Sequence, residues 1–364
     1  MKKLAALLIS LAMILAMAVT GCSSSGSGQT ASPQPSQPAG SQTPAAGGDY
    51  PKSSIQVVVP FSAGGGTDLF ARIVVDKMSQ IVGVPIEVVN VPGGSATIGT
   101  TQVANANTDG YTIGFSISTP LCVTPLLGET SYTLEDMQPI CNAYTVLHGI
   151  YVAADSPIQD VDDLIAFINE KGGTLSYAGS GTGNMQHMCL EEWASQADPE
   201  GTWNLTNVPY DGDPEEIVAL MSGELPFATL QVHGAKSAVE AGNVRCIMIF
   251  GDSTPQWMTD GGYFGPNSVE LGYECRVKGL VGFYGPAGMS ADAVKVLSDA
   301  FHQAVQDEGV LESIANIGLE PDYRDTEAYT AGLEELVPVA DELAASARFH
   351  RRVIPSICGP AGAR

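Results

Sequence analysis

The sequence predicts an α/β protein with mainly parallel sheets, and three features lead to that class. Short apolar, β-branched runs alternate with segments of helical periodicity from Tyr50 onward. The runs are nearly continuous rather than alternating, as expected of parallel strands covered on both faces. Glycine-rich turns join strand to helix at three places. The 364 residues suffice for about two domains at ~150 residues each. With 44% hydrophobic and 15% charged residues, an ordinary apolar core is available to them.

The elements follow in order. Ile55–Pro60 is an apolar run of strand length, and after a glycine turn Phe70, Ile73, Val74 and Ile81 recur at helical spacing. Ile86–Val91 is a second strand leading into Pro92–Gly99 and another helix, and Thr112–Ser116 is a third. Asp160 caps a helix that presents Val161, Leu164, Ile165 and Ile168 on one face. Thr174–Ala178 is a strand followed by the loop Gly179–Gly183, and Phe227–Val232 and Arg245–Phe250 are two more. Gly279–Tyr284 precedes a helix capped by Ser290, with Val294, Leu297, Phe301 and Val305 on its buried side. A last helix runs from about Thr326 to Arg348 and packs on the outside.

Charge removes several functions. Sixteen Lys and Arg face 40 Asp and Glu, a formal net charge of −24. No basic run exists to neutralise phosphates, so nucleic acid is not a partner, and anionic membrane surfaces are disfavoured. An anionic ligand would have to be held by local groups against the overall field. The N-terminus reads as an export signal over residues 1–22: Lys2 and Lys3, an apolar run from Leu4 to Val19, then small residues and Cys22. That ending is similar to a bacterial lipobox, which predicts lipidation at Cys22 and an extracytoplasmic, membrane-tethered location. Residues 23–49 form the linker; Ser23 to Gly48 contains only Ser, Gly, Gln, Thr, Ala and Pro, with too little apolar surface to offset chain entropy. Its reach is on the order of 25–30 Å.

Three strand-to-helix loops carry the functional signal. They are Pro60–Asp68, Pro92–Gly99 and Gly179–Asn184. In open α/β sheets ligands bind beyond the carboxyl ends of strands. Glycines let the backbone approach a ligand, and the following helix adds free N–H donors and a positive dipole end. Ser62, Thr67, Ser95, Thr97, Ser180 and Thr182 add hydroxyl donors. These groups are uncharged and donate to anions, which suits a carboxylate. One such turn is ordinary packing in this fold class; three together point to a site. Thr67 and Asp68 fit either an N-cap pair or ligand contacts.

Enzymatic patterns are missing. There is no P-loop, no clean GxGxxG after the first strand, no GxSxG elbow and no HExxH. Ser180, His187 and Asp211 form no triad by any spacing that demands one. His148, His187, His233, His302 and His350 are scattered, so neither a metal site nor a cofactor is predicted. Trp193, Trp203 and Trp257 read as core or hinge packing. Cys122, Cys141, Cys189, Cys246, Cys275 and Cys358 show no CxxC spacing, and their pairing is open.

PFSAGGGTD at Pro60–Asp68, VNVPGGSATIG at Val89–Gly99 and TDGYTIGFS at Thr108–Ser116 open a series of seven segments. LSYAGSGTGNMQH at Leu175–His187, VPYDG at Val208–Gly212, SGELPFA at Ser222–Ala228 and GLVGFYGPAGMS at Gly279–Ser290 complete it. In order and spacing the series resembles the Bug family, the substrate-binding receptors of tripartite tricarboxylate transporters, from Tyr50 to the C-terminal helix. The resemblance implies a two-lobed, periplasmic-binding-protein-like Venus flytrap with two interlobe crossovers, near Ile150–Ala153 and Phe250–Ser253. Lobe 1 would comprise residues 50–150 and 251–364, and lobe 2 residues 151–250. It implies a small carboxylate ligand, an organic acid or amino acid, partnership with the large and small membrane subunits of such a transporter, and a monomer without enzymatic activity.

Carried onto this chain, the ligand contacts fall in two groups. The first is Ser62, Gly65, Gly66, Thr67, Asp68, Ser95, Ala96, Thr97 and Ile98, with Ser118 just past the third strand. The second is Ser180, Gly181, Thr182, Asn184, His187, Tyr210 and Asp211. Two positions depart from the family: Asn184 stands where Ser is usual, and Asp211 where Lys is common. An Asp211 in the cleft would repel a second carboxylate and favour a monocarboxylate or zwitterion; an Asp211 facing solvent would not. The alternatives to transport are an exported α/β hydrolase acting on a small acid in the same cleft, and a purely sensory receptor.

Overall fold

A computed structural model describes residues 50–345 except 129, 182, 211 and 264. The signal and linker, Cys22, Thr182, Asp211 and Cys358 lie outside the described residues. The described part belongs to one unit, 44–364.

The chain builds two five-stranded sheets flanked by helices. β1 (Ile55–Val59), α1 (Gly66–Val82), β2 (Ile86–Asn90), α2 (Thr97–Ala104) and β3 (Thr112–Ile117) come first. A π-helical turn (Thr119–Val123), α3 (Thr124–Leu127), β4 (Met137–Val146) and β5 (His148–Ala153) follow. Then come α4 (Val161–Glu170), β6 (Thr174–Gly179), α5 (Met185–Ala197), β7 (Asn204–Pro209), α6 (Asp213–Met221) and β8 (Ala228–Gln231). The last group is α7 (Val232–Glu240), β9 (Val244–Phe250), α8 (Gln256–Gly261), β10 (Gly279–Pro286), α9 (Ala291–Ala304), α10 (Glu308–Asn316) and α11 (Thr326–Ala345). The sheet orders are β2-β1-β3-β10-β4 and β7-β6-β8-β5-β9.

Local chemistry explains the elements that position the cleft. β1 is interior to its sheet, and Val57, Val58 and Val59 are fully buried. α1 and α9 cover one face, where Phe70, Phe115, Tyr144, Phe283 and Phe301 pack ring against ring, for example Phe115 and Phe283 at 4.6 Å. The expected caps are formed: Asp160 accepts from Asp163 N at 2.9 Å and Ser290 Oγ from Ala293 N at 3.2 Å.

The sheets are mixed rather than mainly parallel. β1 pairs parallel with β2 and β3, and β6 with β7 and β8, but β10 pairs antiparallel with β3 and β4, and β5 with β8 and β9. A strand that enters from the other lobe arrives without the covering helix that a right-handed parallel crossover requires. β5 and β10 are those strands.

The passages between lobes also differ in place from the expectation. The first is a single residue, Leu147, between β4 and β5. After β9 the chain turns back along the second sheet, where Asn267 bridges Ile249 and Ser268 N donates to Ile249 O at 2.8 Å. The buried Glu192 of α5 then accepts from Arg276 N and Val277 N and from Arg276 Nε at 3.0 Å. The second passage is therefore at Lys278, not at Phe250–Ser253. Cys122, Cys141, Cys189, Cys246 and Cys275 are free thiols.

Candidate functional site

An interlobe cavity of about 500 Å³ opens at the strand ends. The first lobe contributes Phe61, Ser95 and Thr119; the second contributes Ser180, Asn184, Gln186 and Gln231; His148 lies at the passage between them. No Lys, Arg, Asp or Glu is among the described lining residues. His148 is neutral at ordinary pH, because burial, with help from nearby His233, lowers its pKa to about 3.

The first-lobe wall is an arrangement of backbone donors. Gly93, Gly94, Ser95 and Ala96 form a run of positive φ, with Ser95 at 53° and Ala96 at 73°. Left-handed backbone at non-glycine residues costs about 1–3 kcal/mol each; here the turn closes on itself, Thr97 N donating to Gly94 O at 3.1 Å and Ile98 N to Gly93 O at 3.4 Å, so the donors it can offer a ligand are the amides before Thr97. α2 begins at Thr97 with no side chain capping it, and α1 begins at Gly66 with none either. Thr97 Oγ1 is engaged with Gly94 O at 2.7 Å. Ile98 is 55% exposed and its Cδ1 lies against Gly93.

Asp68 explains how these loops hold their shape. It is 2% exposed and accepts from Gly64 N at 2.8 Å, Arg72 Nε at 3.0 Å and Asn90 Nδ2 at 2.9 Å. Asn90 also donates to Phe61 O at 3.0 Å, so one carboxylate ties the loop after β1 to the end of β2. Burial works to raise its pKa, but Arg72, the Gly64 amide and Asn90 together hold it below the usual carboxylate value. Asp68 thus shapes the donor loops and does not face the cavity.

Ser62 and Gly65 are exposed, and Thr67 Oγ1 lies 3.5 Å from Tyr144 Oη; of their loop only Phe61 lines the cavity among the described residues. Gly66 abuts the second lobe: a Cβ there would stand 2.7 Å from His233 Nε2 of α7. Ser118 is buried and donates to Lys278 O at 3.3 Å, holding the second passage rather than reaching the cavity.

In the second lobe, Asn184 caps α5, accepting from His187 N at 2.9 Å while bordering the cavity. His187 is fully buried; its Nδ1 accepts from Gly183 N at 3.0 Å and its Nε2 lies 3.5 Å from Glu191. It organises the loop from behind and is not a cavity residue. Gly181 N donates to Asn207 Oδ1 at 3.2 Å, and Tyr210 is half-buried against the apolar cluster under α6 and α7.

Two acids stand behind this wall. Ser180 Oγ donates to Glu216 Oε1 at 2.6 Å, and Gln186 Nε2 and Gln231 N donate to Asp213 Oδ1 at 3.3 and 3.1 Å. Burial pushes Glu216 up to about 8, with the Ser180 hydroxyl opposing and Asp213 adding to the rise. Burial likewise pushes Asp213 up to about 6 against the hydrogen bonds from Gln231 and Gln186. Among the residues unforeseen from sequence, Gln231 was findable as the last residue of a strand; Gln186 and Glu216, inside helices, carry no local signal.

Residues 70–341 match the profile of the tripartite tricarboxylate transporter family receptor. The chain belongs to that receptor family. A Cupriavidus necator relative, the UPF0065 protein of the gbd 5′ region, is 27% identical over 289 residues, 79% of this chain and 85% of the relative. The solved periplasmic binding protein BugD is 26% identical with a TM-score of 0.66, over 81% of this chain and 97% of BugD. MatC from Rhodopseudomonas palustris, solved with bound malate, shares the fold at 22% identity and a TM-score of 0.67, over 81% and 99% of the two chains. Among the described residues of this receptor no helix is long and apolar enough to cross a membrane, and no group of three His, Cys, Asp or Glu is placed to hold a metal.

The acid pair sets a pH signature. Glu216 binds its proton more tightly folded than unfolded, so its stabilising contribution is full below about 4.5 and is lost as pH rises through about 8. His148 and His233, lowered to about 3 and 4, act oppositely and only as pH falls below about 6.5. Between pH 6.5 and 8 the unfolding midpoint should therefore fall. Glu216→Gln should flatten that slope in a calorimetric pH series; an unchanged slope would show that Glu216 is ionised throughout.

Proposed function

We propose that this receptor captures a small carboxylate between its lobes outside the cytoplasm and presents it to the membrane subunits of a tripartite transporter, without chemically changing it. The observation that carries the reading is the first-lobe wall: uncapped helix starts and a left-handed Gly93–Ala96 turn at a cavity whose described lining has no charged side chain. Backbone N–H groups and two dipole ends suit a carboxylate better than a cation or an apolar ligand. The malate bound by MatC is the same ligand chemistry in a relative of this fold. The Ser95 side chain, with Ser62 and the Gly65–Thr67, Ser95 and Ala96 amides, receives the carboxylate in this reading. Ser180, Gly181 and Asn184 meet the rest of the ligand, while Asp68, Ser118 and His187 position the walls.

Closure supplies selectivity. Contacts to both lobes favour the closed arrangement, and the lobes turn about the short passages at Leu147 and Lys278. A thermal-shift series with the domain from Tyr50 onward tests this. A mono- or dicarboxylate at 100 times its Kd should add ~2.7 kcal/mol and raise the midpoint by several degrees. Gly66→Ala should weaken that ligand by about tenfold, because the new methyl meets His233 across the cleft. Silence across the panel would count against the carboxylate reading.

The receptor is further proposed to be a monomeric lipoprotein, with residues 1–22 removed, Cys22 lipidated and residues 23–49 as the tether. The small-residue run ending at Cys22 and the uncharged spacer after it support this. Cys22→Ala should move the protein from the membrane fraction to the soluble fraction on cell fractionation. Retention of that variant at the membrane would mean that another element anchors it.

A further inference from the structure

The two lobes offer opposite hydrogen-bond polarity to the cavity. The first lobe presents donors. In the second, Ser180 spends its hydroxyl proton on Glu216 and so turns lone pairs outward. Gln186 is fixed between Ser180 N, which donates to its Oε1 at 3.2 Å, and Asp213, which accepts from its Nε2 at 3.3 Å. Glu216 and Asp213 therefore lie one residue behind the cavity wall, reached through side chains that line it.

The region behind that wall is also incompletely satisfied. Glu216 is fully buried with Oε2 unpartnered, and Thr229, fully buried on the central strand β8, has Oγ1 unpartnered. Both are acceptors, Thr229 also a donor. Among the described residues no basic side chain bonds either acid: the partners of Asp213 and Glu216 are an amide, a backbone N–H and a hydroxyl. Burial raises Glu216 more than Asp213, so around neutral pH Asp213 carries the negative charge, and a proton on the unpartnered Oε2 of Glu216 leaves Oε1 to accept from Ser180, while the first lobe keeps positive dipole ends.

We propose that the second lobe reads the far end of the ligand as a hydrogen-bond donor, so that the preferred ligand is a monocarboxylate ending in a hydroxyl or ammonium group, with Glu216 acting through Ser180 as the specificity-determining residue. This rests on the carboxylate-receptor reading above. A dicarboxylate places its second anion against Ser180 lone pairs and the acids behind them. An ammonium or hydroxyl end donates to Ser180 Oγ instead, and an ammonium also gains from the negative pair. Glu216 does not touch the ligand; it sets which way Ser180 points its proton.

The test is a calorimetric comparison of length-matched straight-chain acids in three series: dicarboxylates such as succinate and adipate, ω-hydroxy acids, and ω-amino acids. The tightest donor-ended acid should bind at least about tenfold more tightly than the tightest dicarboxylate. Glu216→Gln keeps the size of the side chain and supplies a donor to Ser180, so it should bring the series to within about threefold of one another. Ser180→Ala, which removes the acceptor and also leaves Glu216 Oε1 without its hydroxyl donor, should narrow the ratio too. A purely structural role for Glu216 would weaken all three series together and leave the ratio unchanged, which overturns the assignment. Dicarboxylates binding as tightly as donor-ended acids would overturn the proposal while leaving the receptor reading intact. Failure of all three series to bind would instead overturn the carboxylate reading. Better binding of ω-amino than ω-hydroxy acids would identify charge as the main discriminator, and parity would identify hydrogen-bond polarity.

Discussion

The carboxylate of Asp68 is the constraint on which the candidate site depends. Helix starts normally satisfy their N–H groups with a capping side chain, and neither α1 nor α2 has one. What keeps the donors aimed outward is a buried acid that grips Gly64 in one loop and Asn90 beside the other. Because Asn90 also holds Phe61 O, a displacement in one loop is transmitted to the other. The strain at Ser95 and Ala96 is tolerable because the turn is held by its own bonds: Thr97 N and Oγ1 donate to Gly94 O, and Thr100 N and Oγ1 to Ala96 O.

An acidic protein that binds an anion has to localise its positive potential. With a net charge of −24, the overall field opposes a carboxylate. Dipole ends and N–H groups act within a few ångströms and are little affected by distant surface charge, so they can override it locally. The cost is that such donors bind strongly only where solvent is excluded. That requirement links ligand chemistry to closure, and closure to the contact between Gly66 and His233.

Much of the scaffold was legible in the sequence, and the misses have physical causes. The interior strands β1, β3 and β10 are apolar runs because both faces are covered. β4 and β7 escape such reading because they are sheet edges: β4 carries Pro139, tolerated where one side makes no ladder bonds, and β7 exposes Asn204 and Thr206. The direction of β5 and β10 depends on passages between lobes, which leave no periodic signal. At the site, the glycine loops were visible because left-handed backbone needs particular residues. The roles within them were not. Asp68 and His187 look like ligand contacts by type and position, yet their partners lie behind the wall, and only three-dimensional packing distinguishes the two faces of a loop. Gln186 and Glu216 are ordinary helix residues until the fold brings them beneath Ser180.

In the proposed binding mode, backbone amides of the first lobe hold the ligand carboxylate while the second lobe meets the other end. Amide chemical-shift perturbation in an isotope-labelled domain tests this most directly, using a carboxylate that gives a thermal shift. The largest changes should cluster at Gly64–Thr67 and Ser95–Gly99 and, across the cleft, at Ser180–Gly183. Changes concentrated instead behind the passages, around Asp252–Thr254 and Gly318–Glu320, would place the ligand in the other interlobe hollow and contradict the central claim.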